Sequence, residues 1–551
     1  MKSIAYFNSH ATTCFAVEEL RRLFRQAGIE LGMNRRGRHR DLQGSIFIML
    51  EKEYHSSPLC KSPLTLSKDG FALIDEGDDV WIVGKEERSL LYGVYSFCEK
   101  KLGYSWVHLN EGRCGTYTEN ATSVQTPLFS RRGNIIETID DPLYINRLID
   151  WGVKNGLNEF FFTFFLWDKV KSYVEPELVK RNMKVTLGGH SLAFLTKEMG
   201  MQPNHLLRDS GMQDHVISRI HEICIGSPVV NRVSLWPEDI GIDQDEYDDF
   251  MPAYITFSEK LRASLKELNV EVEHIVYNAG LEWKMLERAA GTNVSQEADV
   301  LYAYWGRDYS ASIHEASEEQ KRAAASLMDW RTETKIKNRS FTVLEYYSDH
   351  FMLSELFPPL LNRMKQDMAD YKKLQADGVL NLIVPCHIKP LSQGINADYP
   401  WKWIHGLNNF LYAGLCWGKD FDSLVDAYFS PLGEKKETYL SIILELENIL
   451  AKHTAWNVPL FPARLVDTEK VKARSSQEIV TCLDELIDFL NEHTPAVSEE
   501  LLDIQNKDNF DSFTMEEMLQ IYFYYVKKTA VRCKREWQGG NVDGLQSASV
   551  L

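Results

Sequence analysis

The sequence predicts an α/β fold, a (β/α)8 TIM barrel with an N-terminal α/β domain and a C-terminal helical region. Eight short, nearly continuous apolar runs alternate with amphipathic stretches between residues 130 and 415. Strands buried on both faces give such runs, and helical crossovers between parallel strands give the alternation. Eight units match the barrel in count. A doubly wound open sheet is the alternative, but no G-x-G-x-x-G follows the first strand, which disfavours its nucleotide-binding form.

The region 1–125 is predicted to form the N-terminal α/β domain. Its expected elements, from apolar periodicity, are a helix over 15–31, strands over 44–50 and 79–84, and a helix over 87–106. Residues 119–129 are polar and contain proline, which predicts a connector to the barrel.

The region 130–415 is predicted to form the barrel. The eight expected strands lie within 133–138, 158–165, 183–190, 231–239, 270–280, 298–308, 340–349 and 378–387. Amphipathic stretches in 416–540 predict a bundle of helices packed against the barrel. The last residues, 541–551, are polar and rich in small side chains, which predicts a disordered tail.

Composition and charge exclude several classes of function. The net charge of −18 argues against a nucleic-acid partner, because phosphate binding needs a basic surface. No stretch reaches the roughly 18 apolar residues of a membrane span, so no membrane partner is expected. The N-terminus lacks the apolar core of a signal peptide, and the nine cysteines have no regular spacing. These features predict a cytoplasmic protein with reduced thiols.

Cofactor motifs are missing from the sequence. There is no H-E-x-x-H, no paired C-x-x-C, no G-x-S-x-G and no Walker loop. We therefore expect no metal and no other cofactor. Among assemblies a homodimer is favoured, because symmetric dimers are the commonest oligomers.

Acidic side chains recur where the predicted barrel strands end, which is where barrel enzymes carry their active sites. Glu238 follows strand 4, Asp308 follows strand 6, and strand 7 carries Glu345 and Asp349. Cleavage of a glycosidic bond uses one protonated carboxyl group and one ionised carboxylate. Acids after a strand also cap helices, but their recurrence favours catalysis. Beside Glu238, the apolar ring of Trp236 is expected to keep a carboxyl group protonated.

Other polar, aromatic and cationic side chains near strand ends are candidates for sugar binding, since aromatic faces suit the C–H face of a sugar ring. They are Arg132, Glu137, Trp167, His190, Trp236, Asp239, Tyr277, Asn278, Trp305, Arg307, Tyr346, His387, Lys389 and Trp403. Structural roles stay open for several. His190 could equally bond to a backbone carbonyl. Arg132 could equally form a structural ion pair, and Trp403 could pack in the core.

A family resemblance lies in residues 69–107. Within them, 84–93, "GKEERSLLYG", are similar to the auxiliary domain that precedes the barrel in α-glucuronidases and β-N-acetylhexosaminidases. The barrel more loosely resembles family 67 α-glucuronidases and a bacterial relative family of unassigned function. The resemblance implies an intracellular, exo-acting glycoside hydrolase that releases a terminal uronic acid from an oligosaccharide with inversion. It implies Glu238 as the general acid, with Glu345 and Asp308 sharing the role of the base.

Two alternatives remain open at this point. One is a retaining β-N-acetylhexosaminidase-like or other exo-glycosidase. Hexosaminidases place an Asp–Glu pair after strand 4, whereas here the order is Glu238–Asp239. The other alternative is a barrel that binds carbohydrate without cleaving it, because a fold does not determine a function.

Overall fold

The structure is a computed structural model that contains the whole chain. The residues it describes are 3–35, 44–58, 60, 63–109, 112–113, 120–200, 209–238, 247–278, 283–287, 295, 297–305, 307–314, 317–349, 356, 358–384, 406–451, 476–502 and 513–538. Over these ranges, no helix has the length and apolar character needed to cross a membrane.

The N-terminal domain is a six-stranded mixed sheet with helices. Its strands are β1 (Ser3–Tyr6), β2 (Gly32–Arg35), β3 (Ser45–Leu50), β4 (Phe71–Asp75), β5 (Val80–Gly84) and β8 (Ser123–Gln125), in the order β2-β1-β3-β5-β4-β8. Two short strands, β6 (Tyr104–Ser105) and β7 (Gly112–Arg113), pair separately. Its helices are α1 (Ala11–Gln26), α2 (Glu51–Ser56) and α3 (Glu87–Leu102). Strand β8 lies inside the stretch that the sequence analysis predicted to be only a connector.

Eight parallel strands close into the predicted barrel. They are β9 (Arg131–Ile136), β10 (Glu159–Thr163), β11 (Lys184–His190), β12 (Val230–Trp236), β13 (Glu271–Tyr277), β14 (Asp299–Ala303), β15 (Phe341–Asp349) and β16 (Gly378–Val384). Strand β16 pairs with β9 and closes the sheet. The predicted α/β barrel fold is confirmed, and each predicted run overlaps one strand, although β9 and β12 begin one or two residues before their runs.

Helices cover the outside of the barrel. They are α4 (Pro142–Lys154), α5 (Phe164–Lys180), α6 (Leu192–Thr196), α7 (Ser210–Gly226), α8 (Tyr247–Leu265), α9 (Trp283–Leu286), α10 (Glu318–Ile336), α11 (Leu361–Leu374) and α12 (Gly406–Trp417). Helix α12 contacts β9, β15 and β16, where the barrel closes.

The C-terminal region is helical, as predicted. Its helices are α13 (Phe421–Phe429), α14 (Lys436–Ala451), α15 (Ser476–His493), α16 (Glu499–Leu502) and α17 (Met515–Gln538). Helix α14 contacts the barrel through Glu447, which accepts a hydrogen bond from the backbone N–H of Asn362 in α11 at 3.0 Å. The predicted tail, 541–551, lies outside the described residues.

A buried ion cluster joins the N-terminal domain to the base of the barrel. The carboxylate of Asp69 accepts hydrogen bonds from Arg88, Arg132 and Asn158 at 2.6–3.0 Å. Burial alone would raise the pKa of Asp69, but the two guanidinium groups hold it well below its usual range. Arg132 also donates to the backbone carbonyl of Gly156. The prediction that Arg132 contacts the substrate is wrong, because its side chain is fully buried at the opposite end of the barrel from the strand C-termini.

Candidate active site

Hydrogen bonds establish which side chains face the barrel interior. The guanidinium of Arg131 on β9 contacts Glu159 on β10 and Glu273 on β13, which only a side chain in the interior can do. It also contacts the hydroxyl of Thr342 on β15. Since side chains alternate along a strand, these residues fix which face of each strand is interior.

The base of the interior is an ionic layer. Arg131 and Arg232 pair with Glu159, Glu273 and Asp299 at 2.5–3.4 Å. Burial by itself would raise the pKa of Glu159, but the charge of Arg131 lowers it to about 2. The sequence analysis did not identify this layer. The sequence does contain an indication of this layer, because a charged residue begins or precedes several of the apolar runs.

Above this layer, aromatic side chains line the C-terminal end of the barrel, which we call the mouth. Trp236 on β12 contacts the ring of Phe161 on β10, with 5.3 Å between the ring centroids. The rings of His190 and Tyr277 lie beside it, at centroid distances of 5.3 Å for His190–Trp236 and 6.0 Å for His190–Tyr277. The nitrogen Nδ1 of His190 lies 2.8 Å from the carbonyl of Pro237. Three of the predicted site residues, His190, Trp236 and Tyr277, are therefore brought together.

Glu238 lies at the mouth, directly after β12. Its Oε1 accepts a hydrogen bond of 2.8 Å from the backbone N–H of Ala193, at the start of α6. This contact fixes the carboxyl group beside the loop that follows β11. Glu238 is partly exposed, whereas Trp236 is 3% exposed. A partly exposed carboxyl group next to an apolar wall is suited to exchange protons with a bound molecule.

Glu137 is a second acid at the mouth. It follows β9, and its Oε1 lies near Gly189 of β11, 3.4 Å from the position that a Cβ atom on this glycine would occupy. Gly189 has φ +65°, and a Cβ there would lie 2.9 Å from Cγ2 of Thr163, so the left-handed backbone and this close approach of Thr163 both favour glycine. The carboxylate of Glu137 therefore reaches over β10 toward the end of β11.

Asp349 is a third acid whose side chain faces the mouth. A β-bulge in β15 between Glu345 and Ser348 adds one residue relative to β16. Ser348 faces outward, because its hydroxyl accepts a hydrogen bond from Asn381, which itself contacts Asn409 of α12. Asp349, the next residue, pairs in register with Val384 and faces the barrel interior, where it is as buried as Glu345, at 2% exposed. This residue was noted only as part of strand 7 in the sequence.

Glu345 does not face the mouth, and the structure contradicts that expectation. Its carboxylate lies between β15 and α11, where it accepts hydrogen bonds from Arg307, Tyr309 and Tyr371. Burial raises the pKa of Glu345, while the charge of Arg307 opposes this effect. The residue is 2% exposed. Parity explains the difference, because the side chain three residues after the inward-facing Thr342 must face outward.

Arg307 is held in the same buried cluster. It pairs with Glu345 and with Asp367 of α11, both at 2.5 Å, so it does not reach a substrate at the mouth. Asp308 is partly exposed, and its Oδ1 accepts a hydrogen bond from the backbone N–H of Ser310. Asp308 also contacts Gln320 of α10 through its backbone.

The remaining predicted site residues fall into four groups. Asn278 and Trp305 join the ends of β13 and β14, because the side chain of Asn278 bonds to the backbone of Trp305 in both directions. Tyr346 is 6% exposed and follows Glu345, so it faces inward. Trp167 is not at the mouth, because it is a core residue of α5 whose Nε1–H donates to Ser227. The others, Asp239, His387, Lys389 and Trp403, lie outside the described residues.

Metal binding finds no support in the described part of the chain. Within it, no group of three or more His, Cys, Asp or Glu side chains is placed to hold a metal ion. Among the described residues, the mouth offers carboxyl groups, the imidazole of His190 and aromatic faces.

Comparison with known proteins bears on the N-terminal domain and on the fold. Residues 1–97 match the family model of the glycosyl hydrolase family 67 N-terminus. The first 97 residues are therefore similar to the N-terminal domain of family 67 glycosyl hydrolases. The resemblance predicted from residues 84–93 is confirmed, because the match includes them. No curated protein matches the chain.

Solved structures show the same architecture. A GH138 enzyme targeting pectin rhamnogalacturonan II is similar with a TM-score of 0.60 and 11% identity, over 97% of this chain and 87% of that one. The GH20 β-N-acetylhexosaminidase from Streptomyces coelicolor A3(2) has a TM-score of 0.49 and 14% identity, over 81% and 92% of the two chains. At this level of identity, the similarity to the GH138 enzyme shows a shared fold along almost the whole chain.

Proposed function

We propose that this glycoside-hydrolase-like protein is an exo-acting glycosidase that removes a terminal sugar from an oligosaccharide. The observation that carries the proposal is the position of Glu137, Glu238 and Asp349 at or just after the C-terminal ends of β9, β12 and β15, at a barrel mouth lined by Trp236 and Tyr277. Two carboxyl groups on different sides of a sugar supply the acid and the base that glycosidic cleavage requires. Aromatic faces supply the stacking surface for the ring.

In this proposal Glu238 is the general acid. The N–H of Ala193 fixes one carboxyl oxygen, which orients the group toward a leaving oxygen. The ring of Trp236, two residues earlier in the chain, lines the same mouth beside His190. When the bond breaks, the proton of Glu238 passes to the leaving-group oxygen, and the carboxylate remains.

Asp349 takes the role of the base that the sequence analysis gave to Glu345 and Asp308. Strands β12 and β15 are three apart in a barrel of eight, so Glu238 and Asp349 approach a sugar from nearly opposite sides. Asp349 accepts a proton from a water molecule as the water attacks the anomeric carbon, which inverts the configuration. Glu137 is assigned to substrate hydroxyl groups.

A uronic acid is the first sugar class to test. The match to the N-terminal domain of family 67 supports it, as does the similarity to an enzyme that targets a pectin. Arg132 and Arg307 do not serve a substrate carboxylate, because both are paired in buried clusters. His190 lies at the mouth, and in its protonated form it would pair with the carboxylate of a bound uronic acid.

We assign the reaction to the cytoplasm, since buried cysteines such as Cys224 are thiols.

Proton NMR of the anomeric signals tests the proposal. The full chain is incubated with plant-type and amino-sugar oligosaccharides, and the first-formed anomer of each released sugar is identified. Release of a uronic acid with inversion is the expected result. Release of another sugar with inversion would discard the uronate preference, and retention would make Asp349 or Glu137 a nucleophile. Binding without release from any substrate would contradict the proposal and favour a barrel that only binds carbohydrate.

A further inference from the structure

The bulge in β15 determines which way Asp349 points. Glu345 faces outward, so regular alternation would also turn residue 349 outward, four positions later. The extra residue between Glu345 and Ser348 reverses this parity. Asp349 therefore depends on the bulge for its place at the mouth, and whatever holds the bulge also orients its carboxylate.

Tyr309 connects the bulge to the buried cluster. Its hydroxyl group donates a hydrogen bond of 2.6 Å to Oε2 of Glu345 and accepts one of 3.2 Å from the backbone N–H of Tyr346, the first bulge residue. The guanidinium of Arg307 lies over the ring of Tyr309, 4.7 Å from its centroid. One hydroxyl group thus bonds both the carboxylate of Glu345 and the backbone N–H of a bulge residue.

The rest of the bulge is held from the helices outside. Tyr347 donates a hydrogen bond of 3.0 Å to Asp367 of α11, and its carbonyl accepts one from Asn408 of α12. Asp367 pairs with both Arg307 and Arg363, and Arg307 also pairs with Glu345. The cluster therefore contains two cations and two anions. This balance lets four charged groups remain buried.

We propose that Tyr309, with the Arg307–Glu345–Asp367 cluster behind it, is a positioning residue that holds the β15 bulge and so directs Asp349 into the mouth. The proposal rests on the proposed function, because it assigns to Asp349 a role in glycosidic cleavage. Tyr309 does not contact the substrate. Its effect on the reaction passes through the backbone of residues 346–348.

The test compares Tyr309→Phe with Tyr302→Phe in the full chain. Each substitution removes one buried hydroxyl group, but Tyr302 bonds to the carbonyl of Ala323 in α10, away from the bulge. Three quantities are measured: the exchange rate of the Tyr346 amide hydrogen, kcat and KM with their pH dependence, and the orientation of Asp349 in crystal structures. The control accounts for a general loss of stability.

For Tyr309→Phe we expect exchange of the Tyr346 amide to be about tenfold faster or more, because this N–H loses its hydrogen bond to the Tyr309 hydroxyl. We expect kcat to fall about 10- to 100-fold with KM within about twofold, since the base is displaced while binding groups stay in place. In the pH profile of kcat, we expect a shift of the limb that reports ionisation of the Asp349 carboxylate. Tyr302→Phe should change none of these.

Two results would overturn the proposal: unchanged kcat despite faster exchange, or equal loss of kcat in both variants. The crystal structures separate this question from the proposed function. If the wild-type protein cleaves no glycoside, the proposed function fails, but the orientation of Asp349 still decides the inference. If the Tyr309→Phe structure keeps the bulge and an inward-facing Asp349, the inference is contradicted. If Asp349 is turned away from the mouth, the inference is supported.

Discussion

Arg131 on β9 and Glu273 on β13 meet across the interior of the barrel, with 2.5 Å between Nη1 and Oε2. The two strands are four apart in a barrel of eight, so this pair spans its full width. Arg131 also pairs with Glu159 on the neighbouring strand. The base of the barrel is thus closed by charged side chains, and any small molecule that enters from the mouth stops above them.

Replacing Arg131 with methionine should destabilise the protein by about 3–5 kcal/mol, because two buried carboxylates lose their main partner while the side-chain volume is kept. Urea-induced unfolding measures the change. The control is Arg25→Met, since the Arg25–Glu30 pair is 57% and 67% exposed, and exposed pairs contribute about 0–1 kcal/mol. A loss below about 1 kcal/mol for Arg131→Met would show that the ionic layer does not stabilise the barrel.

Glu159 should make the stability depend on pH in acid. Its pKa in the folded protein is lowered to about 2, whereas an unfolded glutamate titrates near about 4.3. Its contribution is therefore present above about pH 4.3 and is lost as the pH falls toward about 2. We expect Glu159→Gln to flatten the dependence of the unfolding free energy on pH over this interval. Equal slopes for the variant and the wild type would contradict the assignment.

Glu238→Gln should reduce turnover of an unactivated glycoside by about 10²–10⁴-fold, because the amide cannot donate a proton as the carboxylic acid does. The amide oxygen still accepts the N–H of Ala193, so we expect the melting temperature to change little. Rates are measured on a natural substrate and on a glycoside with a good leaving group, which needs less protonation. The assignment would be wrong if both substrates lost the same activity or neither lost any.

Asp349→Asn and Glu345→Gln distinguish the two assignments of the base. If Asp349 is the base, Asp349→Asn should lose about 10²-fold or more in kcat and leave stability nearly unchanged. Glu345→Gln should instead lower stability by about 3–5 kcal/mol, because it leaves Arg307 with one carboxylate fewer. Steady-state kinetics and thermal unfolding of both variants measure this contrast. The reverse pattern would restore Glu345 to the catalytic role.

The fold was accessible from the sequence because the strand signal is simple. Runs such as 158–165 are rich in apolar residues, and a helical pattern follows each, so number and order were enough to predict a closed barrel. Strands β1 and β2 were not predicted, and β8 was taken as part of a connector. They are only three or four residues long, and pairing with longer neighbours determines them.

The site was only partly accessible, for a reason that Glu345 illustrates. Position in the sequence shows that an acid is near the end of a strand, but the direction of its side chain depends on parity. The bulge in β15 reverses which of the later side chains face the barrel interior and which face outward. No residue type in 345–349 indicates from the sequence that a bulge occurs there. Trp236 and Tyr277 were located correctly because they end regular strands. Arg132 was misplaced because it begins a strand, and the C-terminal ends form the mouth.

Glu447 provides a prediction for the contact between the C-terminal helices and the barrel. Burial raises its pKa to about 7, although hydrogen bonds from Asn362 oppose the shift. The folded protein therefore holds a proton that the unfolded chain releases near about pH 4.3, so stability falls as the pH rises from about 4.3 to about 7. Glu447→Gln keeps an oxygen for the N–H of Asn362 and removes the charge. At pH 8 it should be more stable than the wild type, on the order of 1–3 kcal/mol.

Glu445→Gln, an exposed position on the same helix, is the matched control and should have no such effect. Urea unfolding at several pH values measures both variants, and a destabilised Glu447→Gln at pH 8 would mean that the charged form is the one that holds α14 against α11.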